Sequence, residues 1–179
     1  MVNEVQQIDL LAGCKAGNRQ AQEKMYRSFY RVMMNLCLRY TKNDMDAMEA
    51  LNTGFYKVFK NIQRYDPEQA SLYTWIRTIV INSCLDLVRS KEKAIQPMEL
   101  TSDTQAEIEP DIISKLNSAY LLEMIRKLPA ATQTIFNLFI MEGYSHREIA
   151  GLLKISEGTS KWHVSEARKK LQTMINEQQ

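Results

Sequence analysis

Apolar positions recur at three- and four-residue steps in one segment after another, which predicts an all-α chain. A short first helix is expected over Ile8 to Cys14, with Ile8, Leu11 and Cys14 on one face. Asn18 caps a longer second helix whose apolar repeat, Ala21, Met25, Phe29, Met33, Leu36, Cys37 and Tyr40, holds for more than five turns. Lys24, Arg27, Arg31 and Arg39 fall on its wet faces. Asn43 or Asp44 caps a third, where Asp46 and Glu49 sit near the N-terminus that favours negative charge and Leu51, Phe55, Val58, Phe59 and Ile62 form the core side. Pro67 biases Asp66 away from helix and interrupts the pattern. Ser71 then starts a fourth helix with Leu72, Trp75, Ile76, Ile79, Val80, Cys84 and Leu87 on its apolar face.

The periodicity lapses from Ala94 to Ser114 and resumes with Ile112, Leu116, Ala119, Leu122, Ile125 and Leu128. Pro129 favours a new helix start, and Ile135, Leu138 and Phe139 pack that helix before Gly143 ends it. The most informative stretch follows, Ser145 to Leu171. Ser145 and Glu148 have capping-box spacing, and Ile149, Leu152 and Leu153 share a face beside the small Ala150. Lys154, Ile155 and Ser156 form a turn in which Ile155 plugs the corner and Ser156 is a second N-cap. On the next helix Val164, Ala167 and Leu171 mark the buried stripe, with Ser160 one turn earlier where an apolar residue is commoner. Two helices joined this way are a helix-turn-helix. Thr159, Lys161, Trp162, His163 and Arg168 are the outward set expected to meet a major groove. Trp162, off the apolar stripe between Lys161 and His163, suits contact with a thymine methyl or a sugar.

Charge changes the picture once it is divided. Residues 1–93 hold 14 Lys and Arg against 10 Asp and Glu, residues 94–114 none against five, and residues 115–179 nine against six. The overall +2 thus hides two basic ends and an acidic middle. That distribution predicts two nucleic-acid-facing modules, 1–93 and 115–179, joined by a flexible acidic linker over 94–114. On the fourth helix Asn82 and Asp86 lie one turn apart, as groups that read base edges would. Asp86 pairing with Arg89 or Lys91, and Asn82 bonding backbone, are the structural readings of the same residues.

Composition excludes other classes. Cys14, Cys37 and Cys84 are scattered and odd in number, so neither a disulfide framework nor a thiolate metal site is expected. His146 and His163 both lie in the helix-turn-helix, without ligand spacing. No nucleophile elbow, phosphate loop or dinucleotide fingerprint is present. The expectation is a chain with no enzymatic activity, cofactor, metal or small-molecule substrate. No apolar run of about 18 residues exists to span a bilayer, and the N-terminus lacks a secretory pattern, which predicts a cytoplasmic protein.

Two blocks carry a resemblance, FYKVFKNIQRYDPEQASLYTWIRTIVINSCLDLVR in the first half and LPAATQTIFNLFIMEGYSHREIAGLLKISEGTSKWHVSEARKKL in the second. In that order, with an acidic spacer between them, they resemble the extracytoplasmic-function (ECF) sigma factors of the sigma-70 family. The resemblance implies two helical domains that bind core RNA polymerase and promoter DNA. By it, Asp46, Glu49, Asn52 and Thr53 dock on the clamp helices of the largest polymerase subunit. The family usually has aspartate, glutamine and glutamate where this chain has Glu49, Asn52 and Thr53, so the surface is less acidic than expected.

Arg77, Asn82, Ser83, Asp86 and Arg89 are implied to open and hold the minus-10 element, with Asn82 helping to receive an extruded base. Trp75 matches a common aromatic position whose main role is core packing. Arg89, Lys91 and Lys93 would hold phosphates. Arg147, Thr159, Lys161, Trp162, His163 and Arg168 are implied to read the minus-35 element as duplex. Arginine is frequent in the family at the position of His163, so the bidentate guanine contact is missing here. Lys154 stands where glycine is frequent, at a cost of a few tenths to about 1 kcal/mol if left-handed. The linker is implied to thread the polymerase exit path, and a membrane-linked anti-sigma factor to mask the binding faces. A dimeric helix-turn-helix regulator and a helical protein-binding adaptor are the competing readings; no separate dimerisation segment supports the first.

Overall fold

The computed structural model describes residues 4–91 and 118–177, and among them there are helices and no strands. Lys93, the linker 94–114, and the expected helical restart at Ile112 and Leu116 lie outside the described residues. Two compact units divide the chain, Met1–Leu87 and Val88–Gln179.

In the first unit, α1 (Glu4–Lys15) closes through Gly17 at φ 73, with the Asn18 amide donating back to the Gly13 carbonyl at 3.0 Å. Asn18 then starts α2 (Arg19–Tyr40), its side-chain oxygen accepting from the amides of Gln20 and Ala21. That oxygen satisfies amides which have no partner within the helix. Met25, Met33, Leu36, Cys37 and Tyr40 are the buried stripe, and Arg27 and Arg31 face solvent, as the periodicity requires. Asn43 rather than Asp44 caps α3 (Asp44–Asn61), accepting from the Asp46 amide at 2.8 Å.

A single 3-10 turn, Ile62–Arg64, leads to the Pro67 interruption. Ser71 accepts from the Thr74 amide at the start of α4 (Leu72–Lys91). α3 and α4 approach closely at Gly54, where a β-carbon would lie 3.0 Å from Val80 Cγ2 and 3.2 Å from Val80 Cα. Leu51, Phe55, Val58, Ile62, Ile76, Val80 and Cys84 are all buried around that approach. Full burial of each larger aliphatic or aromatic side chain contributes about 1.5–3 kcal/mol. The three cysteines are free and buried.

The second unit packs α5 (Ser118–Lys127), α6 (Ala130–Phe136) and, beyond α7 (His146–Leu153), α8 (Glu157–Asn176) around Met124, Ile125, Leu128, Phe136, Ala167 and Leu171, and α7 lies against α8. Pro129 precedes α6, as expected. Unanticipated is a π-helical turn, Asn137–Met141, that widens the end of α6; the Glu142 amide reaches the Asn137 carbonyl five residues back. The turn leaves Ile140 and Met141 exposed and carries Phe139 toward α7. Gly143 at φ 77 then stops the helix.

Candidate nucleic-acid interface

The α7–turn–α8 corner is built by three local devices. Ser145 and Glu148 form the full capping box: the serine hydroxyl accepts from the Glu148 amide at 3.2 Å, and the carboxylate accepts from the Ser145 amide at 2.8 Å. The Ser145 hydroxyl, which donates to the same carboxylate at 2.7 Å, and then the Ser145 amide hold the Glu148 carboxyl below its ordinary range. Lys154 closes α7 in the left-handed region, φ 58 and ψ 46, with the Ile155 amide donating to the Ala150 carbonyl at 3.1 Å. A lysine therefore sits where glycine is the relaxed choice. Ser156 caps α8, accepting from the Thr159 amide at 2.9 Å.

The outward face of α8 is only partly the expected one. Lys161 is exposed, while Thr159, Trp162 and Arg168 are half-buried. Arg147, at the start of α7, is exposed. His163 is corrected: it is 9% exposed and hydrogen-bonded through Nδ1 to the Thr132 hydroxyl of α6 at 3.0 Å. The reason is the register. Residue 163 falls beside Val164 on the arc that runs from Ser160 to Ala167 and Leu171, and a polar ring joins that arc once it has a hydrogen-bonding partner. Trp162 also has a packing role, its ring 4.8 Å from His163 at 75°.

The polar residue at the stripe position, Ser160, is fully buried because its hydroxyl is hydrogen-bonded with His146 Nδ1 at 2.9 Å. His146 in turn lies flat on Phe139, 4.2 Å away at 13°. Burial, with Lys161 and Arg168 nearby, pushes His146 below the ordinary imidazole value, and burial does the same to His163. Neither Thr132 nor this use of the two histidines was legible in the sequence.

On α4, Asn82, Asp86 and Arg89 are exposed and Arg77 is half-buried. Ser83 is corrected: it is 1% exposed and donates its hydroxyl to the Ile79 carbonyl at 3.0 Å, so it is turned away from solvent. Hydroxyls bonded one turn back are readily buried in helices. Asp86 accepts from Lys57 of α3 at 2.8 Å, a cross-helix partner that sequence neighbours did not suggest. Thr78, one turn before Asn82 on the same side of α4, is exposed as well.

On α3, Glu49, Asn52 and Thr53 are exposed and Asp46 is half-buried. Met45 and Tyr56 complete this face, 84% and 65% exposed. The Tyr26 hydroxyl of α2 donates to Asn52 Oδ1 at 3.0 Å, and burial raises the Tyr26 phenol so that it keeps its proton. Among the described residues, no group of three or more His, Cys, Asp or Glu is arranged to hold a metal ion. Nor is any described helix long and apolar enough to cross a membrane.

The family described as sigma-70 region 2 matches residues 25–94, and sigma-70 region 4 matches residues 118–171, together more than two thirds of the chain. The chain is an ECF sigma factor of the sigma-70 family. This sigma factor is 28% identical to the ECF RNA polymerase sigma factor SigM of Mycobacterium tuberculosis over 97% of its own length and 86% of that protein's. It is 21% identical to the RNA polymerase sigma-H factor of Pseudomonas aeruginosa, over 99% and all of the respective lengths. Its fold is similar to that of the sigma factor RpoE of Bartonella quintana, solved in complex with the anti-sigma factor NepR: TM-score 0.55, 18% identity, 86% of this chain and 96% of that one. Sigma factors give RNA polymerase its choice of promoter, and that is the activity of this chain. They are regulators of initiation rather than enzymes.

Proposed function

We propose that the sigma factor divides promoter reading between its two units. The exposed start of α8 enters the major groove of a duplex minus-35 element: Lys161 and Trp162 meet base edges and sugars, and Arg147 and Arg168 neutralise phosphate. On α4, Asn82 and Asp86 hold the minus-10 strand as it opens, with Arg77 and Arg89 supplying charge. The α3 face of Asp46, Glu49, Asn52 and Thr53 docks on the clamp helices of the largest subunit of core RNA polymerase, and the acidic linker follows the polymerase exit path. His163 and Ser83 have no direct DNA contact in this reading. The factor acts in the cytoplasm, held in reserve by an anti-sigma factor. The complex of the Bartonella relative with NepR supports such a partner; its attachment to a membrane is the further part of the proposal.

The observation that carries the reading is the doubly capped α7–turn–α8 corner, which leaves Lys161 exposed at the start of a helix whose opposite arc is buried. Run-off transcription on genomic fragments, with core polymerase plus or minus the purified chain, tests it. Discrete starts are expected only when both are present, and Lys161→Ala and Trp162→Ala should each weaken promoter use by about 1–3 kcal/mol. Tight operator footprints by the chain alone, without initiation, would overturn the reading.

A further inference from the structure

Four exposed side chains form one stripe along α3. Met45, Glu49, Asn52 and Tyr56 follow one another at four-, three- and four-residue steps, so they stack on the same side of the helix. The ends of the stripe are apolar or aromatic and its middle is polar. Asn52 is tied to a second helix: its Oδ1 accepts from the Tyr26 hydroxyl of α2 at 3.0 Å. The Tyr26 ring is itself held, edge-on to the buried Phe55 at 4.8 Å and tilted against Tyr30 at 5.7 Å.

We propose that Tyr26 is a positioning residue for polymerase docking: its hydroxyl occupies Asn52 Oδ1, the amide therefore presents its Nδ2 hydrogens, and the polymerase group that meets Asn52 is an acceptor, a carboxylate or carbonyl oxygen. The inference rests on the reading of the α3 face as the polymerase-docking surface.

A carboxamide can turn either of two unlike atoms outward, an acceptor or a double donor. Bonding Oδ1 to a packed phenol selects the donor. Among the described residues Nδ2 has no partner, so its N–H groups remain for an acceptor from outside. A partner that covers Met45 and Tyr56 also takes the amide between them out of water, where a donor without an acceptor is costly. The Tyr26 bond thus has two effects. It orders the Asn52 side chain before docking, which lowers the entropy lost on binding, and it sets which chemistry is tolerated opposite.

The test measures the affinity of core RNA polymerase for the full chain carrying a fluorophore at its C-terminus. Tyr26→Phe keeps the ring and loses only the hydroxyl, and release of one such hydrogen bond should weaken binding roughly three- to tenfold. Asn52→Ala should weaken it at least as much. Adding Tyr26→Phe to Asn52→Ala should weaken it no further, whereas a tyrosine that served only the fold would act with or without the asparagine. Asn52→Asp keeps an oxygen for Tyr26 but replaces the outward N–H groups with a second acceptor, and should bind no better than Asn52→Ala. An equal loss from Tyr26→Phe in the Asn52→Ala background, or wild-type affinity for Tyr26→Phe where Asn52→Ala is weakened, overturns the positioning role. Wild-type affinity for Asn52→Asp overturns the outward donor and with it the acceptor on polymerase. Unchanged binding by both Asn52→Ala and Glu49→Ala overturns the docking reading, and the role of Tyr26 falls with it.

Discussion

Gly54 allows the two helices assigned to polymerase and to the opened strand to approach, and Gly54→Ala measures how tightly they are held. Two effects oppose each other. Alanine is better than glycine in a helix interior by about 1 kcal/mol. The added β-carbon would sit 3.0 Å from Val80 Cγ2 and 3.2 Å from Val80 Cα. The methyl can turn aside, but the Cα belongs to the α4 backbone, so relief requires the helices to separate by a few tenths of an ångström. Overpacking of this kind costs about 1–3 kcal/mol, and the expected balance is a net loss of about 1 kcal/mol.

Trp75 lies in the first unit and Trp162 in the second, so a Trp162→Phe background makes indole fluorescence report on the first alone. With a urea slope of about 1 kcal/mol/M for a unit of this size, the midpoint should fall by roughly 1 M. Adding Val80→Ala removes the methyl contact but leaves the backbone one. The double-mutant cycle should then show favourable coupling of about 0.5–1 kcal/mol. A midpoint that rises in Gly54→Ala would mean the helices yield freely, and the argument from close approach would be wrong.

Lys154→Gly relieves the left-handed residue at the end of α7 but loosens the unfolded chain, so the second unit should gain a few tenths to about 1 kcal/mol, read as a higher thermal midpoint by Trp162 fluorescence. Glu148 is held below its ordinary value of 4.5, so its capping bonds are fully present above that pH and lost as the pH falls through the lower folded value. Glu148→Gln should therefore flatten the acid limb of the same thermal profile; an unchanged limb would rule out the carboxylate. Asn82→Ala should lower permanganate reactivity of minus-10 thymines while core binding, followed by size exclusion, stays at the wild-type level. Full melting would remove Asn82 from the opening machinery.

Much of this was legible in the sequence because it is local. The Met25, Met33, Leu36, Cys37 and Tyr40 stripe, the caps at Asn18, Ser145 and Ser156, and the stop after Leu153 all follow from spacing and short-range hydrogen bonding. What escaped depends on partners distant in sequence. The sequence places His163 in the outward set, and it is Thr132, 31 residues away, that satisfies the ring once it is buried. Ser160 looked misplaced until His146 supplied its bond. Ser83, implied by the resemblance beside Asn82, lies a 100° step further around the helix and is buried. Asp86 has a partner in Lys57, 29 residues back, which sequence proximity does not offer.

The widened turn at Asn137–Met141 has a consequence for how this unit tolerates length changes. It holds one residue more than regular winding would use, and such bulges are what a single insertion into a helix leaves behind. Deleting one residue there would rewind the segment and swing everything downstream by about 100°. Phe139 would then no longer pave the underside of His146. The spare residue works as a washer: remove it, and the bolt that follows no longer lines up with its hole.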